Sequence, residues 1–165
     1  MTTHQKIVLI EKYRRVLATL TEDILSHFQA NNLKKTRLMD YLREKLPSAQ
    51  EMTNVAFYEK IKGPTRWKYE EIVLVLEFIN ATEKKETVIA FYHLINEVVN
   101  KDIDKSPFQF KFFTNFFEEH FGLTYASVYY QPIRWRYNLD ELVELYRLIE
   151  HVEKFKLLNG TPLLA

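Results

Sequence analysis

Pro64-Thr65-Arg66-Trp67-Lys68-Tyr69 returns 68 residues downstream as Pro132-Ile133-Arg134-Trp135-Arg136-Tyr137, and the two hexapeptides hold both tryptophans of the chain. An acidic pair and an apolar helical run follow each copy, Glu70-Glu71 before Ile72-Val73-Leu74-Val75-Leu76 and Asp140-Glu141 before Leu142-Val143-Glu144-Leu145. Each half orders a helix, a short helix, Pro-x-Arg-Trp-basic-Tyr and a further helix, the pattern of a duplicated supersecondary unit. The reading is an all-α fold of about seven to eight helices, forming two similar helical lobes by imperfect internal duplication. The lobes are expected at 1–100 and 108–165, joined by the linker Lys101-Asp102-Ile103-Asp104-Lys105-Ser106-Pro107.

Composition agrees with helices. The 165 residues are 47% hydrophobic and 15% aromatic, enough to bury a core. Three Gly and five Pro are too few for the turns of a sandwich or barrel and for a Gly-rich phosphate cradle. The absence of Cys excludes disulfides, thiolate nucleophiles and Cys-ligated zinc. Met1 to Lys6 carries no apolar signal core, and the aliphatic run Ile72 to Leu76 is far short of a membrane span. A cytoplasmic protein with no membrane partner is expected. Net charge is +1, yet the segment 31–68 concentrates nine cations against four acids. One segment is basic while the protein as a whole is not.

Along the chain, Ile7, Ile10, Tyr13, Leu17, Leu20, Ile24 and Phe28 recur at helical spacing and predict a helix over 4–28. Arg14 and Thr21 fall on its best heptad register, so the stripe is expected to pack on the body rather than form a free coiled coil. A second helix, about 35–46, ends before Pro47, and Ser48-Ala49-Gln50-Glu51 fits a capping box opening a helix to Lys62. That leaves a turn of about two residues between them, a helix-turn-helix over 35–62. Gly63 is expected to close the helix in the left-handed conformation, and Pro64 cannot continue it. Helices follow over 69–79, 82–100 and 108–121, and Asn138 with Glu141 makes a capping box for the last one.

In the helix around 49–62, Phe57 and Ile61 face inward. Asn54, Tyr58 and Lys62, four apart, form an outer row offering an amide, a phenol and an ammonium to the edges of base pairs. Lys34, Lys35, Lys60, Arg66 and Lys68 stand at the flanks as DNA backbone contacts. The stretch Phe57-Tyr58-Glu59-Lys60-Ile61-Lys62-Gly63, with Trp67 and the helix from Glu70, resembles the second half of a Cro/repressor-type helix-turn-helix over residues 36–80. Ile133-Arg134-Trp135 with Leu142-Val143-Glu144-Leu145 is similar to a motif of the RteC-type regulators of Bacteroides conjugative elements. Both resemblances imply a helical, DNA-binding transcriptional regulator with duplex DNA as partner.

Plainer roles compete for the same residues. A lysine-rich helix also serves as the solvated face of an α-bundle, and Trp67 and Trp135 suit plugs of a lobe core with cations over their rims. Phe108, Phe110, Phe112, Phe113, Phe116, Phe117 and Phe121 exceed what one helix face needs. Phe112, Phe116, Tyr125, Tyr129 and Tyr130 are therefore candidates for a protein interface, as a homodimer or with another partner. The alternative function is a helical interaction module, an adaptor or inhibitory partner, using the aromatic surface 108–130. The five His are scattered, His93 with Glu97 and Glu119 beside His120 being the nearest metal-like pairs, and neither His-Glu-x-x-His nor a nucleophile elbow occurs. No enzyme activity, metal or cofactor is expected.

Overall fold

The computed structural model describes residues 1–105, Glu118 and residues 138–159. The fold is all-α, with no strand among the described residues. In chain order the helices are α1 (Thr3–Ala30), α2 (Thr36–Lys45), α3 (Asn54–Lys62), α4 (Tyr69–Phe78), α5 (Thr82–His93), α6 (Val99–Lys105) and α7 (Leu139–Asn159). Short 3-10 turns occupy Pro47–Ala49 and Pro64–Arg66, and a π-helical stretch, Leu94–Val98, carries α5 into α6. The chain divides into two units, Glu11–Ala90 and Met1–Ile10 with Phe91–Ala165. This partition does not fall at 101–107, and Lys101–Lys105, expected as linker, is helical.

In the unit Glu11–Ala90 the α1 stripe is buried through Tyr13, Leu20, Ile24 and Phe28, while Leu17 is half-buried and Val16 is the buried residue beside it. Leu38, Met39 and Leu42 of α2, Phe57 and Ile61 of α3, and Ile72, Val75 and Leu76 of α4 complete this core around Trp67. Thr21, the residue that breaks the heptad seam, donates its hydroxyl to the carbonyl of Ile61. That carbonyl lies in the last turn of α3, where backbone acceptors lack helical partners. A polar residue in the stripe therefore completes a helix end.

Two helices stop on asparagine. Asn32 and Asn80 adopt positive φ, 52° and 60°, and the amides that follow bond back across the turn, Leu33 N–H to Phe28 O at 2.9 Å and Ala81 N–H to Leu76 O at 2.8 Å. These are Schellman-type closures with Asn in the left-handed position that glycine often takes. Gly63 does not play the expected part, since its φ of −122° is extended backbone. A Cβ there would meet only ordinary contacts, the nearest at 3.5 Å.

The start of α3 also differs from expectation. Ser48 lies in the 3-10 turn and does not cap α3; Thr53 is the N-cap, its hydroxyl accepting the Ala56 amide at 3.2 Å. Residues 46–53 thus separate α2 from α3, a longer connection than the tight turn expected. The segment is held by burial of Ala49 and Met52 and by the Arg43 guanidinium, which donates to the Met52 carbonyl.

The second unit packs Leu9, Ile10, Phe91, Leu94, Ile95 and Val99 with an α7 stripe of Leu142, Leu145, Tyr146, Ile149 and Val152. The final helix begins one residue after Asn138, where the capping pattern places it. Asp102 joins three elements here, accepting hydrogen bonds from Lys6 Nζ and from Tyr146 OH, each at 2.7 Å. Burial, then the hydrogen bond to Asp102 and its charge, push the Tyr146 phenol far above the ordinary tyrosine range. The unfolded chain releases this proton near pH ~10 while the folded chain retains it. Stability is therefore intact below that pH and is lost as pH rises beyond it. Urea midpoints measured from about pH 8 to about pH 11 are expected to fall at the alkaline end, less steeply in Tyr146→Phe.

Candidate functional site

The outer face of α3 is set by Phe57 and Ile61, which are drawn into the core and turn the opposite side of the helix to solvent. Asn54, Tyr58 and Lys62 all lie on that exposed face, as the spacing predicts. Val55 joins them with 73% of its surface exposed. Tyr58 is fixed from two sides, its ring meeting Phe57 edge to face at 5.7 Å and Lys35 Nζ lying 5.7 Å from its centroid. That contact sets the start of α2 beside the middle of α3. Lys34, Lys35 and Arg37 are exposed there, so several positive side chains flank the α3 row.

The other flanking cations separate into two groups. Lys68 is exposed, while its backbone N–H is bound by Glu71 at 2.8 Å. Arg66, 64% exposed, pairs loosely with Glu59 at 3.4 Å. Lys60 is a correction. Its ammonium is turned inward onto the Glu71 carboxylate, with a 2.8 Å bond to Oε2, and lies 5.7 Å from the centre of the Trp67 ring. A side chain 15% exposed and bound to a carboxylate 3% exposed is not presented to a phosphate. Lys60, expected among the DNA backbone contacts, is instead part of the core device around Trp67.

That device explains the first Pro-Thr-Arg-Trp-Lys-Tyr copy. Pro64 opens a 3-10 turn, which delivers Trp67 in extended conformation at the threshold of α4. Trp67 packs edge to face on Phe57 with centroids 6.2 Å apart. Glu71, at the third position of α4, accepts from the Lys68 N–H and from the Lys60 ammonium on α3. The hexapeptide is thus a splice between α3 and α4, and the outer face of α3 takes its orientation from it.

Sequence reasoning missed Val55 and Arg37 as members of this surface. The signal for Val55 was present, because a β-branched apolar residue out of phase with Phe57 and Ile61 must face outward. The interface candidates Phe112, Phe116, Tyr125, Tyr129 and Tyr130, and the second hexapeptide, lie outside the described residues. Among the described residues no three His, Asp or Glu converge as a metal-ligand set, and no helix there is long and apolar enough to cross a membrane. The chain matches no family model, no curated protein and no solved structure.

Proposed function

We propose that this chain is a small DNA-binding transcriptional regulator that offers the outer face of α3 to duplex DNA, in the manner of a helix-turn-helix protein acting in the cytoplasm. One observation carries the reading: Asn54, Tyr58 and Lys62 share one exposed face, and exposed Lys34 and Lys35 stand against it through the Lys35–Tyr58 contact. Amide, phenol and ammonium groups on a helix flanked by lysines match what base edges and phosphates require. Asn54, Tyr58 and Lys62 are assigned to bases, and Lys34, Lys35, Arg66 and Lys68 to the backbone. In this reading the chain is an imperfect duplication of about seven to eight helices. The second lobe, which has the uncharged Tyr129-Tyr130-Gln131 where the first has Glu59-Lys60-Ile61-Lys62, serves dimerisation or partner binding.

Fluorescence anisotropy of labelled duplex DNA, random and genomic, tests the reading at about 50 mM and about 200 mM salt. Binding is expected to weaken steeply with salt, and Lys34→Ala or Lys35→Ala to reduce the salt slope by about one each. No binding at the lower salt removes DNA as partner.

A second reading, a helical protein-interaction module, is favoured by the exposure of Val55 and Tyr58 together on α3. Apolar side chains at a surface gain from a protein partner as well as from bases. The same titration separates the two.

A further inference from the structure

Resting on the DNA reading above, we infer that Asn54 and Val55 form an A·T reader, Asn54 bonding the major-groove edge of adenine and Val55 covering the 5-methyl group of thymine. In a helix laid in the major groove, the N-terminal residues come nearest the base edges. Asn54 and Val55 are the first two residues of α3, immediately after the Thr53 cap, and both are exposed.

Their chemistry is complementary to one kind of base pair. The asparagine amide supplies one donor and one acceptor side by side, matching N7 and N6–H of adenine. Thymine alone among the bases presents a methyl group in that groove. Val55 is the most exposed large hydrophobic side chain among the described residues. It has no folding role that calls for a β-branched residue, since a solvent-facing helix position favours straight-chain or small residues. Tyr58, one turn further on and fixed by Lys35 and Phe57, walls the same surface. Glu59, one turn beyond Val55 on the same side of the helix, has its charge offset by Arg66 at 3.4 Å. The exposed Lys34 and Lys35, just before α2, supply positive charge that draws the duplex to α3.

The full chain is used to select from a pool of random duplexes, and the enriched duplex is remade with deoxyuridine for thymidine or with 7-deazaadenine for adenine. An enriched motif containing A·T pairs is expected, with about a four-fold loss of affinity on removing the methyl and about a ten-fold loss on removing N7. Val55→Ala should abolish the first penalty and Asn54→Ala the second. Both side chains project to solvent, so neither variant disturbs the core. Specific binding whose penalties are absent, or persist unchanged in both variants, overturns the inference and leaves the regulator standing. Failure to retain any duplex at low salt overturns the regulator and the A·T reader together.

Discussion

Replacing Trp67 with alanine is expected to lower the unfolding free energy by about 3–5 kcal/mol, the range for deleting a buried aromatic side chain. A marginal domain has a total stability of about 5–15 kcal/mol, so this one change brings the chain to the edge of unfolding. Trp67 is 1% exposed, packs on Phe57, and holds the Lys60 ammonium over its ring. Alanine would leave a cavity between α3 and the start of α4, because the helical backbones there are fixed by their own hydrogen bonds. Trp67→Phe provides the contrast. The indole Nε1 is buried without a hydrogen-bond partner, so phenylalanine removes a polar cost while retaining most of the volume. Urea midpoints should therefore rank the wild type and Trp67→Phe close together, the latter within about 2 kcal/mol, with Trp67→Ala far below. Equal losses in both variants would show that a phenylalanine ring does not fill the site and that the full indole shape is required.

Glu71→Ala is the second large effect, at about 3–5 kcal/mol, because it leaves the partner of a buried ion pair unpaired. The carboxylate is 3% exposed and serves both Lys60 and the amide of Lys68. Its loss strands the Lys60 ammonium, 15% exposed, and an N-terminal helix amide together. Glu71→Gln retains the cap and loses only the charge, so it is expected to cost less than Ala. A cycle of Glu71→Gln and Lys60→Met divides cap from pair. The double variant should be more stable than the sum of the single losses predicts, by about 1–3 kcal/mol. Lys60→Met should also leave the salt dependence of DNA binding unchanged, in contrast to Lys35→Ala. A reduced salt slope in Lys60→Met would return Lys60 to the DNA surface.

These residues also show why part of the molecule was legible in the sequence and part was not. The α1 stripe is legible through Ile10, Tyr13, Leu20, Ile24 and Phe28, because a 3.6-residue repeat of large side chains has one main way to bury itself, while Ile7 and Leu17 of the same repeat are only half-buried. The same periodicity placed Asn54, Tyr58 and Lys62 on a solvent face, since Phe57 and Ile61 had to face inward. The start of α3 was misread because Ser48 and Thr53 are both good caps. Pro47 draws the first into a 3-10 turn, and burial of Ala49 and Met52 settles the choice in favour of the second. Gly63 was misread as a left-handed terminator, whereas the left-handed positions fall to Asn32 and Asn80. Asparagine tolerates that conformation at a small cost, so a chain poor in glycine can still end its helices sharply.

Lys60 marks the boundary most clearly. In the sequence it is one cation among Lys34, Lys35, Lys62, Arg66 and Lys68, identical to its neighbours in charge and reach. What separates it is a carboxylate eleven positions away in sequence, carried back to it by the turn at Pro64. Local periodicity and side-chain chemistry suffice for the helical class, the main buried stripes and the outward row of α3. Which lysine is consumed by the core, which asparagines close helices and where α3 begins depend on the folded chain. Each of those outcomes is a competition between near-equal local options, resolved by burial and by partners that come together only when the chain is folded.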